Sequence, residues 1–348
     1  MLAEYYAGWD VGGAHLKLAV VDSAGSVIQV EQHATPLWLG LESLENMLKE
    51  IRARLPFESL THAVTTTGEL ADYFENRSKG VNALIEKFCK VFAANDVRIY
   101  AGSAGLISIT EAKNKQALIA SANWHASARF IASKKKNGIL LDIGSSTTDI
   151  IPFLSGELCN AGYNDQERMQ HDELLYTGIV RTPMMAVVRK VPFNGIWQTV
   201  AAENFATMAD VYRITEELDE KQDLMDAADG GDKNIQGSLR RLARMLGTDI
   251  DETTSLSEYQ VLARYIADEQ ENMIAESLQS VISNCQQTAK TTLVGAGGGR
   301  FVVKNLAKRY RLDYLDVEQL LDTQPDQKSR AADCLTAVSV AQIRRSTV

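Results

Sequence analysis

The chain has few of the residues that build disulfide or zinc frameworks. Among 348 residues there are four cysteines and five histidines. Cys89, Cys159, Cys285 and Cys334 are scattered, with no Cys-x-x-Cys pair, which argues against a disulfide or structural-zinc scaffold and fits free thiols in a reducing compartment. The histidines show no His-x-x-x-His spacing, so a zinc site of that kind is not expected. No apolar run approaches the ~18 residues of a membrane span, and the N-terminus has no charged region leading into a signal-like apolar core. A cytoplasmic, soluble protein is the expectation. Positive charge is not in excess either: 36 Lys and Arg stand against 45 Asp and Glu, a net charge of −9. That argues against a general nucleic-acid binder, because neutralising duplex phosphates needs a basic face. Small anions can still be bound locally.

The chain is long enough for two domains, and 45% hydrophobic with 23% charged residues is the balance of an ordinary globular protein. Two stretches share one design. Leu140 to Ile151 runs an apolar strand into Asp142, turns through Gly144-Ser145-Ser146-Thr147, and leaves through Asp149 and a second apolar strand. Gly8 to Lys17 repeats this, with Asp10, then Gly12-Gly13-Ala14-His15, then an apolar strand to Val21. Small tip residues let backbone amides face a phosphate, hydroxyls add donors, and a carboxylate at the strand end can hold a hydrated divalent cation. Two Asp-x-Gly hairpins suggest two related halves closing on one polyphosphate.

The remaining pattern is alternately strand and helix. Residues 4–33 predict a three-stranded meander, 41–54 a helix stopped by Pro56, 61–67 a strand, 82–94 a helix, 97–101 a strand and 117–132 one Ala- and Ser-rich helix. After Pro152 come a turn and polar helix over 158–175, an extended run 176–183, and two strands around Asn194-Gly195. The acidic run Glu216 to Asp232 predicts a mobile loop, either a solvated connector or a cation-binding lid. Helices follow at 238–246 and 257–284. Thr291 to Val294 predicts a strand ending in Gly295-Ala296-Gly297-Gly298-Gly299, which opens a helix at 300–310 in the shape suited to a phosphate at a helix N-terminus. There is no Gly-Lys-Ser/Thr, which removes a Walker-type loop. One Ala-rich helix is expected over 329–345.

This trio of loops, in this order, resembles the actin and sugar-kinase superfamily, and the second hairpin is similar to that of the hydantoinase/oxoprolinase family. Thr65-Thr-Thr-Gly-Glu-Leu-Ala-Asp72 and Tyr176-Thr-Gly-Ile-Val-Arg-Thr-Pro183 resemble a short subgroup associated with tetrahydromethanopterin-linked one-carbon transfer. The resemblance implies an α/β fold of two ribonuclease-H-like domains around a central phosphate-binding cleft. The domains would be 1–132 and 133–348, the second with an inserted segment at about 156–260 and a C-terminal helix packing back at the hinge.

It also implies a transferase of methanofuran-type cofactor assembly, in which an aminomethylfuran methyl diphosphate meets a tyrosine- or tyramine-like phenol and diphosphate leaves. Alternatives are an ATP-dependent amidohydrolase or kinase-like enzyme, and a nucleotide-gated regulatory protein. On this reading Asp10, Asp142 and Asp149 would hold Mg²⁺. Gly12, Gly13, Ala14, Gly144, Ser145, Ser146, Thr147, Gly295, Gly297 and Gly298 would hold phosphate or a nucleotide such as ATP or ADP. Lys17 is either a charge on the phosphate or a solvated strand residue. Glu69 and His171 are alternative bases for the phenol, or structural residues. Arg181 is a carboxylate clamp or a structural ion-pair partner, with Thr177 beside it as a second substrate contact. The partner is a small phosphorylated molecule, with neither nucleic acid nor membrane, and a homodimer is compatible with this reading.

Overall fold

The computed structural model describes residues 4–57, 60–251, 255–285 and 291–347. The chain forms two compact units: the first comprises Met1–Gly138, Phe153–Glu167 and Asp316–Val348, the second Ile139–Pro152 and Arg168–Leu315.

In unit 1 the expected meander is present. β1 (Tyr5–Val11), β2 (His15–Asp22) and β3 (Val27–Ala34) pair antiparallel. α1 (Glu42–Arg54) ends where Leu55 turns extended, the conformation a residue before proline prefers. β4 (Leu60–Thr66) then lies parallel to β1. α2 (Arg77–Val91) leads to β5 (Val97–Tyr100), parallel to β4, and β6 (Leu106–Ile107) closes the sheet antiparallel, giving the order β3-β2-β1-β4-β5-β6. Three helices follow: α3 (Ile109–Ala112), α4 (Gln116–Ile119) and α5 (Asn123–Lys134).

The second sheet starts with β7 (Gly138–Ile143), β8 (Thr148–Leu154) and β9 (Glu157–Leu158), followed by α6 (Asp165–Gln170) and β10 (Leu174–Leu175). α7 (Met184–Val187) precedes a separate hairpin of β11 (Lys190–Phe193) and β12 (Ile196–Thr199), which turns at Asn194-Gly195 as the sequence predicts. Next come α8 (Met208–Ile214), α9 (Ile235–Met245) and the long α10 (Leu256–Asn284). β13 (Thr292–Ala296) runs parallel beside β7, and α11 (Arg300–Tyr310) and β14 (Asp313–Asp316) complete the order β10-β8-β7-β13-β14. The chain ends in α12 (Lys328–Asp333) and α13 (Leu335–Ser346) of unit 1.

Three predicted helices differ from expectation. The helix predicted over 117–132 is broken between α4 and α5 at Ser121, whose φ is +53°. Its amide is spent on the Glu69 carboxylate at 2.7 Å. The helix predicted from 82 starts at Arg77 because the Asn76 side chain caps it, accepting from the Lys79 amide at 3.0 Å. The C-terminal helix is two helices, parted at buried Cys334. The acidic run 216–232 is bonded down by buried arginines of unit 2. Arg213 donates to Glu220 at 2.8 Å and Asp223 at 2.6 Å, and Arg241 to Asp229 at 3.0 Å.

Side-chain alternation gives the first sheet two different faces. Ala7, Trp9 and Val11 point with Leu16 and Leu18 into a core built with Leu44, Leu48 and Phe88 of α1 and α2. There Trp9 Nε1 donates to His62 Nδ1 at 3.1 Å. On the opposite face Gly8 lies against α13 so closely that a Cβ would sit 1.9 Å from the Ala337 carbonyl oxygen. In unit 2, Ile139, Leu141 and Ile143 join Leu262, Ile266 and Leu278 of α10 in a second core.

Two outcomes are expected. Gly8→Ala should destabilise the protein by about 2–4 kcal/mol through overpacking, read as a lowered urea midpoint at unchanged m value. Burial lowers the His62 pKa from its ordinary value to about 3. Because the folded value lies below the unfolded one, neutral His62 stabilises the fold above about pH 6.5. That contribution is lost as pH falls toward 3, so a His62→Phe variant should show a shallower loss of thermal stability over that interval than wild type.

Candidate functional site

The two Asp-x-Gly hairpins are closed by the same bond. The Gly12 amide donates to the His15 carbonyl at 2.9 Å, and the Gly144 amide to the Thr147 carbonyl at 2.9 Å. Each is also buttressed from the neighbouring parallel strand. After β4, the Thr67 amide donates to the carbonyl of Val11 at 3.1 Å; after β13, the Gly299 amide donates to that of Ile143 at 2.9 Å. Val11 and Ile143 are the residues that follow Asp10 and Asp142. The loop Thr65–Glu69 in unit 1 thus stands where the glycine loop 295–299 stands in unit 2. Among the described residues, no acceptor is bonded to the amides of Gly13, Ala14, Ser145 or Ser146. Gly13, Ser145 and Ser146 are half-buried at their tips, and a Cβ on Gly13 would meet nothing within 4 Å.

In unit 2 the glycine loop and the hairpin interlock. Gly297 has φ +75°, and a Cβ there would sit 2.3 Å from the Ile143 carbonyl oxygen and 2.5 Å from Asp142 Oδ1. Gly295 packs against the Tyr314 ring, and the Gln222 side chain and Ile179 cover Gly298. Asp142 is half-buried at the end of β7. Asp149 faces a buried cation: Arg168, 1% exposed, places Nη2 2.8 Å from Asp149 Oδ1.

The run 176–183 clasps the same hairpin. Ser145 accepts from the amides of Val180 at 3.1 Å and Arg181 at 2.8 Å, and Gly178 passes so near that a Cβ would lie 2.5 Å from the Ser146 nitrogen. Thr177 is buried; its hydroxyl accepts from Gln270 Nε2 at 2.6 Å, and Gln270 also accepts from Tyr212 at 2.7 Å. Arg181 is exposed and brings Nη1 to 3.4 Å from Ser146 Oγ. His171 is exposed on the turn after α6.

In unit 1, Asp10 is 6% exposed and pairs across the hairpin with Lys17. Lys17 Nζ donates to the Asp333 carbonyl at 3.1 Å, at the end of α12. Nearby Cys334 is fully buried, and burial pushes its thiol up to about 12. Glu69 is buried in the β4 loop, and burial pushes its carboxyl up to about 7. Among the described residues, no cluster of three or more His, Cys, Asp or Glu side chains forms a metal cage. Sequence reading missed the exposed apolar residues beside this hairpin. The Leu37 amide donates to the Gly13 carbonyl at 2.9 Å and starts a turn that exposes Trp38 and Leu39. The Glu69 loop exposes Leu70 and Tyr73, and a Cβ on Gly40 would lie 3.9 Å from the Tyr73 ring. Their one sequence signal is a Leu-Trp-Leu run that alternates with nothing.

Two mixed α/β sheets, each a meander or hairpin extended by parallel strands, define the actin-like class of fold. Over nearly its whole length the chain resembles two solved structures, which support the fold alone. One is the acetone carboxylase nucleotide-free structure (TM-score 0.59, 11% identity, 98% of this chain and 70% of that one). The other is the ethanolamine utilization protein EutJ from Carboxydothermus hydrogenoformans (TM-score 0.50, 13% identity, 97% and 89%). Residues 61–323 match the hydantoinase/oxoprolinase family, and the chain belongs to that family. It is similar to the (4-{4-[2-(gamma-L-glutamylamino)ethyl]phenoxymethyl}furan-2-yl)methanamine synthase of Methanocaldococcus jannaschii, at 32% identity over 243 residues, 70% of this chain and 71% of that protein. It is also 32% identical over 139 residues to the protein of the same name from Methanococcus vannielii, covering 40% of this chain and 62% of that one.

The Arg168–Asp149 pair is open to a direct test. Arg168→Met leaves a largely buried carboxylate uncompensated and should cost about 3–5 kcal/mol, whereas adding Asp149→Leu should restore most of that loss. Chemical denaturation of the two variants checks this.

Proposed function

We propose that this chain is an ether-forming transferase that joins an aminomethylfuran methyl diphosphate to the phenol of a γ-glutamylated tyramine. The methanamine product named for the relatives contains one phenoxymethyl link between a phenyl and a furan ring. In the reaction the phenol oxygen forms a bond to the furan methylene carbon as the carbon–oxygen bond to diphosphate breaks. The phenol proton passes to solvent and the bonding pair leaves with diphosphate.

The observation that carries this reading is the pair of hairpins with the same closure and unspent tip amides, one in each unit. Amides held in that way stabilise charge that develops on a departing diphosphate without reorganising. Ser145, Ser146 and Thr147 add hydroxyls, and Lys17 adds a positive charge beside Asp10. A dedicated metal cage is lacking among the described residues, which suits Mg²⁺, an ion that uses one or two carboxylates and completes its shell with phosphate oxygens and water. Asp10 in the first unit and Asp142 in the second are each a candidate ligand for it, while Asp149 serves Arg168. When bound, the ion would neutralise leaving-group charge. ATP or ADP belongs to the alternative reading of the glycine loop, and this chemistry does not consume them.

The exposed Trp38 and Tyr73 beside the first hairpin suit a flat aromatic acceptor, and exposed Arg181 suits the glutamyl carboxylate, which it can hold bidentately.

Purified protein with the furan diphosphate, glutamyltyramine and Mg²⁺ should yield the coupled mass and equimolar diphosphate, with no ATP used. Asp142→Asn should lower kcat about ten- to a hundredfold, the scale of one lost charge-assisted contact. Trp38→Ala or Tyr73→Ala should raise the KM of the phenol about three- to tenfold and leave that of the diphosphate unchanged. No coupled product, together with ATP-dependent opening of a cyclic amide, would transfer the assignment to a hydantoinase-type hydrolase.

A further inference from the structure

In the loop after β4, three oxygens meet with fewer hydrogens than their spacing requires. Thr66 Oγ1 accepts from the Gly68 amide at 3.0 Å. The same oxygen lies 3.0 Å from the Val11 carbonyl oxygen and 3.1 Å from Glu69 Oε2. A threonine hydroxyl has one hydrogen to give, and a carbonyl has none. If Thr66 donates to Val11, an ionised Glu69 would face the hydroxyl oxygen with nothing between them.

The other end of the carboxyl is held by Ser121. Glu69 Oε1 accepts from the Ser121 amide at 2.7 Å, while Ser121 Oγ lies 3.3 Å from Oε1 and 3.2 Å from Asp165 Oδ2. Asp165 is paired with Arg77 at 2.9 Å. Its negative charge therefore attracts the single Ser121 hydrogen. On the α2 side Gly80 closes the site, since a Cβ there would lie 2.8 Å from the Glu69 Cα and Cβ. Glu69 itself is 2% exposed. One placement supplies a hydrogen to every one of these contacts: Ser121 donates to Asp165, Thr66 donates to Val11, and a proton on Glu69 Oε2 donates to Thr66.

We propose that Glu69 is a neutral carboxylic acid that positions the first hairpin through Thr66, holding the Val11 carbonyl one residue before Gly12. It acts as a positioning residue, not as a base. The burial that shifts its carboxyl to about 7 agrees with this, because desolvation disfavours the charged form. The charged groups that face it are Asp165 from α6, itself neutralised by Arg77 from α2; Thr66 and Ser121 are uncharged. When Glu69 ionises, the Thr66 hydrogen turns back to it, and Val11 is left to the Thr67 amide alone. The hairpin is then tighter below neutrality than above it. The inference concerns ligand-free protein and stands apart from the reaction assigned above.

Glu69→Gln supplies the test, since its amide nitrogen can donate to Thr66 at every pH. Infrared difference spectra of wild type against Glu69→Gln, taken from about pH 5.5 to 8.5, should contain a protonated-carboxyl carbonyl band that disappears with a midpoint near 7. Amide hydrogen exchange over residues 11–15, as the wild-type-to-variant ratio, should be near one at the acid end and rise about tenfold at the alkaline end. A carboxylate band already complete at the acid end would overturn the proposal. So would an exchange ratio that stays flat across the range, because a merely structural carboxyl would leave the hairpin indifferent to its ionisation.

Discussion

The carbonyl that follows each hairpin aspartate sets the architecture of this protein. It sits at the end of a central strand and points toward the parallel neighbour, so its donor must come from that side. In both units that donor is an amide in the loop leaving the adjacent parallel strand: Thr67 for Val11, Gly299 for Ile143. A buried carbonyl without a donor costs about 1–3 kcal/mol, so the parallel strand and its exit loop cannot be moved independently of the hairpin. The hairpin, the parallel strand and the exit loop are therefore one structural unit, used twice in the chain.

What packs against that unit follows from it. A hairpin held at fixed height leaves a narrow space above its tip, and unit 2 fills it with backbone. Gly178 and Gly297 each come within a distance that a side chain would forbid. The run 176–183 is then locked by Gln270, which reaches Thr177, the Gly178 carbonyl and Tyr212 from the middle of α10. Gln270 is 1% exposed, so its amide carries the full cost of burial unless all these bonds are made. The 176–183 run is thereby tied to the longest helix described in the unit by one buried polar side chain.

Much of this was legible from residue types and spacing. The duplicated Asp-x-Gly pattern gave both hairpins, the meander and the strand–glycine–helix element, because period-two apolar strands and glycine turns are local signals. The signals that failed were long-range. Nothing near Ser121 announces a helix break, since the cause is Glu69, 52 positions earlier in the chain. The acidic run 216–232 has the composition of a solvated connector, yet Arg213 and Arg241 lie outside it and are buried. Composition counts the carboxylates and cannot see the arginines that face them. Trp38 and Tyr73 were illegible for the converse reason: exposure depends on what is absent around a side chain, and the sequence records only what is adjacent.

The two copies differ where a repeated scaffold is free to differ. Two positions beyond the closing residue, unit 1 has Lys17 and unit 2 has Asp149, opposite charges at one place in the pattern. Lys17 reaches a helix-end carbonyl, where the macrodipole favours a cation; Asp149 is paired with a guanidinium that is almost entirely buried. The exit loops diverge in the same sense. Unit 2 uses four glycines, which let the loop backbone pack tightly against the hairpin and Tyr314, and unit 1 uses Thr66, Thr67 and Glu69, which fill the corresponding volume with a hydrogen-bonded acid. One unit therefore holds its hairpin by close backbone packing, and the other by a hydrogen-bonded carboxyl.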